Sequence, residues 1–136
     1  MQLYLLILFL RPQEVIMLYK YKNDYEKITM GLLSFIPDLK EYSHLKTELN
    51  WYSGADERCL YLWKNDNGDF IGVIGVEISD EILMVRHIAI TPAERNEGVS
   101  FSMLSGLCEL YPGRKMMGSL ETARLITKWE HRNDGN

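Results

Sequence analysis

Between Val85 and Tyr111 the chain reads Val85-Arg86-His87-Ile88-Ala89-Ile90, a Thr91-Pro92 corner, a polar stretch holding Arg95 and Gly98, then Met103, Leu104, Leu107, Cys108 and Tyr111 at helical spacing. An apolar, partly β-branched run, a turn and a 3.6-residue period predict strand, loop and amphipathic helix in that order. The chemistry such a junction can do is anion binding. Backbone N–H groups at a helix start lack intrahelical acceptors and the helix dipole adds partial positive charge, so a phosphate is held without a dedicated side chain. This junction holds Arg95, Asn96, Glu97, Gly98, Val99 and Ser100, and Gly98 taken alone reads equally as a helix-entry turn.

Groups that move protons are fewer. Strict alternation along Ile82–Ile90 puts Met84, Arg86, Ile88 and Ile90 on one face and turns His87 away, unless a bulge re-aims it. A packed, hydrogen-bonded histidine is therefore the favoured reading of His87 over a base. Glu77 and Glu81 are alternative bases, and Arg86 either contacts substrate or is satisfied at a sheet edge. No catalytic residue is assigned.

These residues need a scaffold. The chain has 136 residues, 46% apolar and 25% charged, which is enough for one domain with a real core and too little for two. A net charge of −4 without a run of Lys or Arg argues against a nucleic-acid surface. Cys59 and Cys108 lie in apolar patterns without metal-ligand spacing, as buried free thiols in a reducing cytoplasm would; no metal site is expected. The apolar run Leu3–Leu10 is too short to span a bilayer and lacks a signal-peptide pattern, so no membrane association is expected. Residues 1–16 are expected to be an extension, or an upstream-start artefact, ahead of a single domain over 17–136.

In order, Leu18–Lys22 alternates as a strand. Asn23 and Glu26 have capping-box spacing before a helix with Tyr25, Ile28, Leu32, Leu33 and Ile36 as its stripe, stopped by Pro37. Asp38 and Glu41 open a second helix with Leu39, Tyr42, Leu45, Leu49 and Tyr52 facing the core. Cys59–Lys64, Asp69–Ile78 and Ile82–Ile90 form an antiparallel meander, with Asn65–Gly68 as a tight hairpin turn and Gly72 and Gly75 marking a bulge or close packing. A helix ends near Tyr111, a strand over Lys115–Leu120 runs parallel to its predecessor by a right-handed crossover, and Glu121–Glu130 forms a last helix.

Arg95-x-x-Gly98-x-Ser100 after a strand and at a helix start resembles the Arg/Gln-x-x-Gly-x-Gly/Ala signature of the GNAT family of N-acetyltransferases. The α+β order β-α-α-β-β-β-α-β-α is also that of the GNAT fold, over residues 17 to about 132. More narrowly, Tyr19–Lys22, Glu26–Phe35, Leu62–Lys64, Gly72–Glu77 and Arg86–Ile88 resemble the small acetyltransferase-like proteins of riboflavin operons.

The resemblance implies an acetyl-CoA-dependent N-acyltransferase acting on a small-molecule or protein amine, with a link to riboflavin biosynthesis. Pantetheine would lie along Ile88, Ala89 and Ile90 like an added strand, and the pyrophosphate would sit on the N–H groups of Arg95 to Ser100. Departures from the pattern are Ser100 in place of Gly or Ala, the Asn96-Glu97 pair beside the phosphates, and the lack of a Tyr after Glu121, where Trp129 stands near the family's acid. These departures suit the alternative, a catalytically inactive CoA-binding or regulatory module; a purely structural domain with a dead pocket is the third reading. The family's two further C-terminal strands have no residues left to build them, so either the site is open or a second subunit completes it, and a homodimer through the C-terminal part is the expectation.

Overall fold

The computed structural model describes residues 17–94 and 97–132; the expected extension over 1–16, and Arg95 and Asn96 of the expected cradle, lie outside the described residues. Five strands, β1 (Leu18–Lys20), β2 (Arg58–Lys64), β3 (Phe70–Ile78), β4 (Ile82–Ile90) and β5 (Lys115–Gly118), form one sheet in sequence order. Its pairs are antiparallel except β4 with β5, which is parallel, as the intervening helical crossover requires. The α-helices among the described residues are α1 (Glu26–Leu33), α2 (Tyr42–Ser53), α3 (Glu97–Leu110) and α4 (Ala123–His131). This is the α+β GNAT-type order expected above.

Alternation distributes the sheet's side chains between two cores. Tyr61, Ile74, Val76, Leu83 and Val85 pack with Met103, Leu104 and Leu107 of α3 and Ile126 and Trp129 of α4. Leu60, Leu62, Val73 and Ala89 face the other way, into Leu32 and Leu33 of α1 and Leu45, Leu49 and Tyr52 of α2. Helices on both faces explain why β2 and β3 are apolar along most of their length. Gly68, at φ +85°, makes the Asn65–Gly68 turn, and the Asn65 side-chain oxygen accepts from the N–H groups of Asn67 and Asp69 at 3.0 and 2.9 Å.

Several local expectations change. Asn23 and Glu26 form no capping box: Asn23–Tyr25 is a 3₁₀ turn, and the Glu26 carboxylate accepts from Lys46 Nζ at 3.1 Å instead. Ile28 is exposed and Thr29 is buried in α1, because that helix is rotated relative to the stripe that apolar spacing alone suggested, and Tyr42, the first residue of α2, is exposed as well. Helix α3 starts at Glu97, so Gly98, Val99 and Ser100 belong to its first turn rather than to a preceding loop. Strand β5 stops at Gly118, and the chain folds back at once. A Cβ on Gly118 would lie 2.7 Å from the backbone of Ala123, so only glycine permits this return.

Candidate functional site

The bulge that sequence left open is present, and it lies at Arg86. Gly75 pairs with His87 and the next residue, Val76, pairs with Val85, so Arg86 is the extra residue in β4. Before the bulge, Leu83 and Val85 enter the core under α3 and α4; beyond it, Ile88 and Ile90 do. The expected single face of Met84, Arg86, Ile88 and Ile90 is thereby broken: Ile88 and Ile90 turn to the α3–α4 face, while Arg86 and His87 turn toward α2. Arg86 Nε donates to Glu77 Oε1 at 2.8 Å, and its guanidinium stands 5.5 Å from the centre of the Trp51 ring. His87 Nδ1 lies 2.5 Å from the Tyr52 hydroxyl, and Nε2 lies 3.9 Å from Glu48 Oε2.

Gly75 is the reason Tyr52 fits. A Cβ there would sit 2.1 Å from the Tyr52 hydroxyl oxygen, so the phenol occupies the space that any other residue would fill. Burial first, then the nearby Glu48, raises the Tyr52 phenol above its ordinary value of 10, which keeps it protonated. Burial lowers His87 from its ordinary value of 6.5 and outweighs Glu48, Glu121 and Asp38, whose charges pull the other way; Arg86 adds to the lowering. At neutral pH the imidazole is uncharged, and its approach to Glu48 is not an ion pair.

Beyond the bulge the sheet opens. The last pair between β4 and β5 is Val85 with Gly118, and from Arg86 onward β4 has no strand on that side among the described residues. The chain after β5 closes the fork from below: Ser119 N–H donates to Val85 O at 3.2 Å, and the buried Thr122 hydroxyl donates to the same oxygen at 2.7 Å. A cavity of about 780 Å³ fills the fork, lined by Ile88, Ala89, Ile90 and Ser100, by Phe35–Asp38 before α2, and by Glu121, Thr122 and Leu125. A second cavity of about 780 Å³ lies on the α2 side, between Trp51, Glu77, Met84 and Leu120. A third, of about 300 Å³, lies against Asp38, His44 and Glu48. His87 and Glu121 line all three, so the cavities converge at the bulge.

The structure thus brings Ile88, Ala89, Ile90 and Ser100 to one cleft, with Gly98 and Val99 in the same helical turn as Ser100. Arg95 and Asn96 lie outside the described residues. Glu81, the last residue before β4, is not among those lining the three cavities, whereas Glu77 lines the second and is paired with Arg86. Trp129 is not in the cleft: it is buried, and its indole N–H donates to Ser105 Oγ at 3.0 Å, tying α4 to α3. Sequence reasoning missed Glu48 and Glu121 and favoured the core over a substrate groove for Tyr52. The one available signal for Tyr52 was Gly75, which marks a place where something must approach the sheet closely.

No family model matches the chain. An uncharacterized N-acetyltransferase encoded in the lysA 3′ region of Bacillus methanolicus is 38% identical over 115 residues, covering 84% of this chain and 95% of that protein. Among solved structures, the aminoglycoside N-acetyltransferase AAC(6')-Iy with the bisubstrate analogue CoA-S-monomethyl-acetylneamine matches with a TM-score of 0.66 at 15% identity, over 87% of this chain and 88% of that one. A putative phosphinothricin N-acetyltransferase matches with a TM-score of 0.61 at 20% identity, over 82% and 78% of the two chains. The structural likenesses show the fold; the extent and identity of the Bacillus methanolicus relative carry the assignment, and the chain belongs to the GNAT family of N-acetyltransferases.

Proposed function

We propose that this protein is an acetyl-CoA-dependent N-acetyltransferase that brings its two substrates together at the β4 bulge. The observation that carries this reading is the fork beyond Val85 and Gly118, which leaves Arg86–Ile90 facing a cavity that runs to the first turn of α3. Pantetheine would add to β4 at Ile88, Ala89 and Ile90 through main-chain bonds, with the pyrophosphate at Arg95–Ser100 on the helix start. The thioester would then lie near His87, where the second and third cavities admit the acceptor.

A cationic acceptor first loses one proton to solvent; the neutral amine then attacks the acetyl carbon, a C–N bond forms, the C–S bond breaks, and the CoA thiolate takes up a proton from the nitrogen. The acceptor cavities carry Glu48, Glu121 and Asp38, with Arg86 already paired to Glu77, and that balance suits a cationic amine. A bisubstrate analogue bound to the AAC(6')-Iy neighbour fits the same two-substrate reading. The narrower likeness to the small acetyltransferase-like proteins of riboflavin operons supports flavin metabolism as the setting, and amine intermediates of that metabolism are acceptors to try. The second reading, a CoA-binding module without turnover, is favoured by Trp129, an indole near the place of the family's acid and committed to Ser105.

Calorimetric titration of CoA into the full chain tests the proposal. Wild type is expected to bind, and Gly98→Val to weaken binding at least tenfold, about 1.4 kcal/mol, by blocking approach at the α3 start. Absence of wild-type binding at about 1 mM CoA, an affinity of roughly −4 kcal/mol, overturns both readings. Thiol release from acetyl-CoA with spermidine as the probe amine then favours turnover over a binding module.

A further inference from the structure

We propose that Tyr52 is a positioning residue that holds His87 as a neutral imidazole with its proton on Nε2, so that the ring offers the cavities an N–H donor and not a basic lone pair. The Tyr52 hydroxyl is fixed from behind by Gly75 and from the side by its core, with only 4% of the residue exposed. It cannot swing away to another acceptor. A buried O–H needs a partner, and the described hydrogen bonds give it His87 Nδ1, at 2.5 Å. Were the ring proton on Nδ1, the phenol oxygen would have to accept, and its own hydrogen would be left buried without an acceptor. With the phenol donating, the single proton of the neutral ring lies on Nε2.

His87 lines all three cavities where they meet, and Nε2 is the ring nitrogen that Tyr52 leaves free. Around the ring stand Glu48 and Tyr52 from α2, Asp38 from the turn before it, Arg86 from β4 and Glu121 from the turn before α4. Glu48 at 3.9 Å favours hydrogen on Nε2 as well, because a carboxylate beside an N–H is attractive and one beside a lone pair is not. A nitrogen that carries hydrogen cannot take the proton of an incoming ammonium. His87 instead donates a hydrogen bond to the carbonyl oxygen of the thioester as negative charge grows there, keeping its proton throughout. This role rests on the acetyltransferase reading above; the tautomer does not.

The experiment is ¹⁵N NMR of the full chain with labelled histidine at about pH 7.5, above the ordinary imidazole range. His44→Gln and His131→Gln variants assign the three rings. Wild-type His87 is expected to show a hydrogen-bearing Nε2 and a bare Nδ1, without averaging. Tyr52→Phe, checked for folding by its amide spectrum, is expected to shift the two nitrogen resonances toward each other as the tautomers exchange. A wild-type His87 with its proton on Nδ1 overturns the inference whether or not the variant folds, and so does an unchanged spectrum in folded Tyr52→Phe. The CoA titration is independent: the expected tautomer without CoA binding sinks only the acetyltransferase reading, and CoA binding with the wrong tautomer sinks only this one.

Discussion

Gly75 and Gly31 make opposite demands on a methyl group. At Gly75 an added Cβ meets the Tyr52 ring and hydroxyl, atoms locked in a packed core, whereas at Gly31, inside α1, nothing lies within 4 Å. Gly75→Ala must displace Tyr52, and overpacking of that kind costs about 1–3 kcal/mol. Gly31→Ala removes backbone freedom from the unfolded chain and is expected to stabilise by roughly 0.5–1 kcal/mol. Urea unfolding of the two variants checks both signs, and a neutral Gly75→Ala would mean that the phenol has somewhere else to go. Arg86 is held by Glu77 and Trp51 with both charged side chains partly open to solvent, so this pair orients the bulge more than it stabilises the fold.

Among elements, the fork between β4 and β5 depends on what replaces the missing pairs. The Thr122 hydroxyl reaches Val85 O just where the strands part, and Ser119 N–H shares that oxygen. Thr122→Val keeps the shape and removes one buried bond, so a loss of about 1 kcal/mol is expected in urea unfolding. A loss as small as at an exposed site would show that Ser119 alone holds the fork. The strands and helices themselves were legible: apolar runs bounded by turn residues located β2, β3 and β4, the Asn65–Gly68 signal located the hairpin, and Pro-Gly at 112–113 separated α3 from β5. Helix rotation was not, since the burial of Thr29 and exposure of Ile28 depend on how α1 lies across the sheet. Ile88–Ile90 and Ser100, which only the family resemblance singled out, line one cleft because they flank a single strand–helix junction. The contact of Tyr52 with His87 joins residues 35 apart in sequence, and its register depends on a bulge that no single-strand pattern encodes.

For the molecule as a whole, the converging cavities place an ionisable group inside the fold, and this makes stability depend on pH. In the folded chain His87 titrates below its ordinary value of 6.5, while in the unfolded chain it titrates near that value. Between the two, the unfolded state binds more protons than the folded state, so stability rises with pH there. The contribution of the neutral ring is fully present above about pH 6.5 and is lost as acidification proceeds toward the folded value. The charges facing the ring set the size of this loss: burial and Arg86 enlarge it, while Glu48, Glu121 and Asp38 reduce it by welcoming the imidazolium. Other groups titrate as well, so the informative quantity is a difference. Unfolding free energies of wild type and His87→Gln, measured at about pH 7.5, 6.5 and 5.5 across the imidazole range, isolate it. Wild type is expected to lose more stability than the variant on acidification, and removing the carboxylate with Glu48→Gln is expected to steepen the wild-type loss. Equal losses in wild type and His87→Gln would show that the ring titrates alike in both states, and that burial at the bulge does not hold it neutral.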